Sequence, residues 1–170
     1  MVAELLGGEL LTSARPAAPH ARVATRLGVD LGGRFDGPLG GWWFLDEPEL
    51  HLGEDVLVPD LAAWRIERMP EVPDVAAFTL PPDWLCEVLS PATATIDRTR
   101  KLPIYAGEGV SHLWLIDPLA RTLEVLRLDA GRWIAAAVHG GSMAVRAEPF
   151  AAIALEPGRW WLTPPAPGAR

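Results

Sequence analysis

Between Pro81-Pro82 and Ser90-Pro91 the chain runs Trp84-Leu85-Cys86-Glu87-Val88-Leu89, an apolar stretch with one carboxylate inside it. A short apolar run punctuated by proline on both sides is the pattern of a strand buried on both faces at the centre of a sheet. Such a strand obliges the rest of the chain to supply cover above and below it. The following sequence predicts a helix over about Thr95 to Glu108, with Gly109 as its stop, and then a strand over His112 to Ile116 closed by Asp117-Pro118. Strand, helix and strand at this spacing predict a parallel crossover. Pro103 lies inside the predicted helix, where an interior proline costs about 3 kcal/mol, so a kink or an early break is expected there.

Cover for the sheet is readable elsewhere. Val23, Leu27 and Leu31 recur at four-residue steps in Pro19 to Leu31, which predicts an amphipathic helix stopped by Gly32-Gly33. Trp42 to Leu45, Glu49 to Leu52 and Asp55 to Trp64 read as three strands of a meander. Thr122 to Leu128 and Arg132 to Val138 read as a hairpin about Asp129-Ala130-Gly131. The expected fold class is α/β in the mixed α+β sense: a mixed β-sheet flanked by helices, with additional antiparallel hairpins. With 170 residues, 49% of them hydrophobic, the chain can bury one core, so one domain is expected over residues 1–163 and a flexible tail over 164–170. The opening MVAELLGGEL has no basic start with a long apolar stretch, and no run approaches the ~18 apolar residues of a spanning helix, so a cytoplasmic location is expected.

Within an extended run, Leu85, Glu87 and Leu89 share one face while Trp84, Cys86 and Val88 share the other. An ionised Glu87 between two leucines needs a compensating cation, which Arg, Lys or a metal ion could supply, or else a strand end open to solvent. Asp60 is in the same situation beside Val56, Val58 and Ala62, with Pro59 marking an edge or bulge that could turn the carboxylate outward. Two such acids on neighbouring strands would suit magnesium or manganese. Lys101 is the only lysine among 15 basic residues. It follows Asp97 by four residues, a spacing that usually makes a solvated surface pair. Taken together, two carboxylates and one ammonium are what metal-assisted phosphodiester cleavage needs: the acids hold the cation, the cation activates water, and the ammonium orients that water or offsets developing charge. The lone Cys86 excludes an internal disulfide and a multi-cysteine zinc site, and reads as a small core residue. His20 reads as a surface or capping residue. The adjacent pairs Trp42-Trp43 and Trp160-Trp161 read as base-stacking or, more simply, dimer-interface residues, one ring of each in the core.

Val58-Pro59-Asp60, Glu87-Val88-Leu89-Ser90-Pro91, Asp97 to Lys101 with Tyr105, and Gly109 to Pro118 together resemble the Uma-two family, named for restriction endonucleases and a branch of the PD-(D/E)XK nuclease superfamily. Glu4 to Leu10 and Pro19-His20 resemble that family's N-terminal pattern less specifically. The resemblance implies metal ligands at Asp60 and Glu87, a catalytic lysine at Lys101, and Glu4 as an additional acid from the first helix. It departs from the superfamily motif at Leu89, where the lysine two residues after the glutamate would stand, so the lysine must come from the following helix.

The expected function is therefore a Mg2+- or Mn2+-dependent endonuclease acting on DNA, as a homodimer. A formal charge of -7 weighs against a strong non-specific nucleic-acid binder and supports the other reading, a catalytically silent binding or assembly module that keeps the fold. That second reading predicts a closed or uncharged groove.

Overall fold

The computed structural model describes residues 1–162; the tail expected over 164–170 lies outside them. Two sheets organise the chain. In order along the sequence, β1 (Val2–Leu6) and β2 (Glu9–Ser13) form a hairpin, α1 (Ala18–Phe35) follows, and then come β3 (Trp42–Asp46), β4 (Leu50–Leu52), β5 (Asp55–Leu57) and β6 (Leu61–Arg65). The central strand β7 (Trp84–Val88) leads into a helical segment made of α2 (Ala94–Ile96), a π-helical turn (Asp97–Lys101) and α3 (Leu102–Gly107), after which β8 (His112–Asp117), β9 (Thr122–Asp129) and β10 (Arg132–Gly140) complete the strands. The larger sheet has the order β10-β9-β8-β7-β6-β3 and the smaller one β2-β1-β5-β4.

The mixed α/β class is as the sequence implies. β7 pairs in parallel with β8 across the helical crossover and antiparallel with β6, so it is central, and all five of its side chains are buried. Its alternation holds: Trp84, Cys86 and Val88 belong to one core, Leu85 and Leu89 to the other. The first core lies under α1, whose Val23, Leu27 and Leu31 are fully buried at about 1.5–3 kcal/mol of hydrophobic stabilisation each. The second core lies between the larger sheet, the smaller sheet and α3, and includes Leu6, Leu57 and Tyr105.

Several sequence expectations need correction. Glu4 lies on a strand rather than a helix, because Gly7 and Gly8 both take positive φ (58° and 80°) and turn the opening segment into a two-residue hairpin. The stretch from Asp55 to Trp64 is two strands in different sheets: Val58-Pro59-Asp60 is the crossing point, since Pro59 has no N–H for a ladder. The expected meander is accordingly replaced, with β3 pairing β6 in the larger sheet and β4 pairing β5 in the smaller. Gly32-Gly33 does not stop α1, which runs on so that Phe35 packs on Phe150, with ring centroids 4.9 Å apart. The expected helix over Thr95 to Glu108 is divided by the π-helical turn. Pro103 offers no N–H to the carbonyl of Thr99, and Leu102 N instead bonds Asp97 O five residues back. Trp42, Trp160 and Trp161 are buried in the first core, with the indole N–H groups of Trp160 and Trp161 donating to Asp30 and to Gly141 O, while Trp43 is half-buried against the second core and donates to Met69 O.

Candidate metal and phosphodiester site

The sheet crossing places Asp60. In the β6–β7 register Leu61 faces Cys86, so the ladder ends just where Val88 needs an acceptor on that side. The Asp60 side chain supplies it: Val88 N donates to Oδ2 at 2.7 Å. Oδ1 faces His20 Nε2 from α1 at 3.2 Å. Asp60 thus closes the sheet edge with one oxygen and presents the other to a cavity at the C-terminal end of β7, the usual ligand-binding end of parallel strands.

Glu87 projects from β7 onto the side occupied by the smaller sheet and is 3% exposed. Its Oε1 accepts the Tyr105 hydroxyl at 2.7 Å and lies 3.4 Å from Lys101 Nζ. Lys101 also lies 2.9 Å from Glu4 Oε1 and 3.2 Å from Asp97 Oδ1. Glu4 is fixed in turn by Val58 N, which donates to its Oε1 at 2.9 Å. The compensating cation for Glu87 that the sequence left open among Arg, Lys and metal therefore includes Lys101. The Asp97–Lys101 spacing, expected to be a solvated pair, is buried on both sides, at 2% and 5% exposure.

Electrostatics follow from this crowding. Burial pushes the Glu87 carboxyl well above its ordinary value; Lys101 pulls it back, Asp97 and Asp60 push it further up, and the Tyr105 hydrogen bond opposes them. Burial likewise raises Asp97. Burial alone would lower Lys101, but Glu87, Asp97 and Glu4 overcome it and hold the ammonium protonated. His20 behaves similarly: burial lowers it, the Asp60 hydrogen bond and charge raise it, and the net shift is upward.

Asp60, Glu87, Lys101 and Glu4 thus share one cavity of about 450 Å³, and His20 and Asp97 line it with them. His20 and Asp97 are the residues sequence reasoning missed. Their signals were present, a histidine in the first turn of an amphipathic helix and an acid four residues before the sole lysine, but neither type nor spacing distinguishes a cavity from a solvated helix surface. Cys86 faces the other way, and burial raises its thiol.

With Glu4, Asp60, Glu87 and Asp97 all ionised, as cation binding requires, four carboxylates in the cavity stand against one ammonium and one imidazole, an excess of negative charge. Glu87 Oε2 accepts no hydrogen bond from the described residues, and Asp97 Oδ1 is a buried oxygen out of line for one despite its closeness to Lys101. This donor set fits a hard divalent cation in charge and atom type. Among the described residues no group of three or more His, Cys, Asp or Glu is arranged to hold a metal by itself. A magnesium-like ion bound by one or two carboxylates, with water and phosphate oxygens completing its shell, is consistent with that.

A family model described as "Uma2: Putative restriction endonuclease" matches residues 2–158. A solved structure of a "putative nuclease belonging to DUF820" from Anabaena variabilis is similar over 94% of this chain and 89% of its own, with a TM-score of 0.78 and 21% identity, a likeness of fold. None of the curated proteins compared with the chain matches it. No helix among the described residues is long and apolar enough to cross a membrane.

Proposed function

We propose, from the premise that this chain belongs to the Uma2 family of restriction-endonuclease-like proteins, that it hydrolyses phosphodiester bonds of DNA at the cavity beneath β7 with the help of Mg2+ or Mn2+. The observation that carries the reading is the convergence of Glu87, Glu4 and Asp97 on the buried Lys101, with Asp60 lining the same cavity. Asp60 and Glu87 would hold the divalent cation. Bound there, the cation would supply an activated water and a positive charge against the phosphate oxygens. Lys101, kept protonated by its three acids, serves as a fixed cation and not as a base; it can hydrogen-bond a water or a phosphate oxygen and offset the charge that develops as the phosphorus–oxygen bond breaks. Glu4 and Asp97 hold the ammonium in position, and Tyr105 fixes one oxygen of Glu87 so that the other faces the cavity. No side-chain nucleophile is needed.

The competing reading, a silent binding or assembly module, called for a closed or uncharged groove, and the cavity is open to solvent and rich in charge. The test is incubation of the native chain with mixed single- and double-stranded DNA in Mn2+ and in EDTA, beside Asp60→Asn and Lys101→Met. Products that require Mn2+ and vanish in both variants support the reading. Absence of any product from the native chain with Mn2+ overturns it in favour of the silent module.

A further inference from the structure

The mouth of the cavity bears on which nucleic acid it takes. Its reactive floor is deep: Glu87 and Lys101 are 3% and 5% exposed, so a reacting phosphate has to enter the cavity rather than rest across it. A volume of about 450 Å³ is the size of a small-molecule pocket, enough for one nucleotide unit but not for a length of duplex. The walls are the end of β2 at Ser13, the segment joining β2 to α1, which carries Arg15, and the turn after β7, which carries Ser90 and Thr93.

Charge points the same way. Holding a duplex takes a row of cations along its phosphates. Among the described residues Arg15 is the single arginine lining the cavity; it is exposed and makes no ion pair or hydrogen bond. The neighbouring Arg98 and Arg100 on the π-helical turn are already engaged, with Glu124 and with Glu9 and Leu6 O. Glu47 lines the cavity as an additional acid, held at a positive φ of 45°. A second strand lying against this lining would meet carboxylate rather than cation.

We infer that the site acts on an unpaired strand or a splayed end rather than on unbroken duplex, with Arg15 gripping a phosphate next to the one delivered to Asp60 and Glu87. This rests on the nuclease reading and names the substrate class for it. No Phe, Tyr or Trp among the described residues lines the cavity, so the grip comes from phosphate contacts and not from stacked bases. The dependence of single-strand binding on salt should then be shallow, a log–log slope near about −1, compared with about −5 or steeper for a broad phosphate track.

The experiment compares the native chain with Mn2+ on three substrates of one sequence: a linear single strand, a duplex with splayed arms, and a duplex closed by a hairpin at each end. Expected are cuts in the single strand and the splayed arms, with the closed duplex cleaved at least about tenfold more slowly, a barrier difference of about 1.4 kcal/mol or more. Any smaller difference, or a preference for the closed duplex, overturns the inference and leaves the nuclease reading standing. Failure to cut all three overturns the nuclease reading itself, and this inference with it.

Discussion

Replacing Glu87 by glutamine should make the protein more stable in EDTA at neutral pH, although the substitution removes a charge partner of the only lysine. Burial, with Asp97 and Asp60 adding to it and Lys101 opposing, raises the native carboxyl well above its ordinary value. Unfolded, the same carboxyl ionises at about 4.3. Between those two values the native state keeps a proton that the unfolded chain has released. The stability linked to that proton is therefore complete below about pH 4.3 and is lost as pH rises towards the native value, by about 1.4 kcal/mol per unit. Glutamine does not titrate, and it can still accept the Tyr105 hydroxyl, which lies 2.7 Å from Oε1. From pH 5 to 7 the variant's advantage over the native chain should widen, read as a Tm difference that grows by several degrees for a chain of this length. Thermal unfolding followed by circular dichroism in EDTA at pH 5, 6 and 7 measures it. A Tm difference that does not change with pH, or a Glu87→Gln chain that becomes the less stable one as pH rises, would refute the argument that Glu87 is a carboxyl crowded by acids.

The other perturbations separate the roles of the cluster. Lys101→Met leaves three buried acids without their shared cation and should destabilise by about 3–5 kcal/mol at pH 7, with a smaller loss at pH 5 where Asp97, freed of the ammonium that lowers it, takes up a proton; an equal loss at both pH values in urea unfolding would contradict it. Tyr105→Phe removes the hydroxyl that fixes Glu87, so unfolding free energy should fall by about 1–2 kcal/mol and the Mn2+ Kd should rise about tenfold, the second effect being the one that simple loss of packing would not produce. His20→Ala should leave the helical circular dichroism of α1 unchanged while weakening Mn2+ binding by about tenfold through Asp60; unchanged affinity would make His20 a bystander.

Legibility in the sequence followed the local rules closely. β7, its parallel partner β8, the β9–β10 hairpin and the apolar stripe of α1 were all readable because period, proline and glycine act within a few residues. What escaped was set by tertiary partners. The crossing of sheets at Val58-Pro59-Asp60 depends on β5 finding β1 and β6 finding β7, which no window of the sequence contains. Glu4 lines the cavity from a strand and not from the expected helix, since Gly7 and Gly8 turn the chain back behind it as a hairpin. Asp97 and Lys101 had the spacing of a surface pair, and only the smaller sheet and α3 closing over them make that pair buried. His20 needed the position of Asp60 before its ring had a partner.

The most direct measurement is a calorimetric titration of the native chain, Asp60→Ala and Glu87→Gln with Mn2+, all matched by circular dichroism. The account predicts stoichiometric binding to the native chain that is lost in both variants. No binding to the native chain, or binding that survives in both variants, would contradict it.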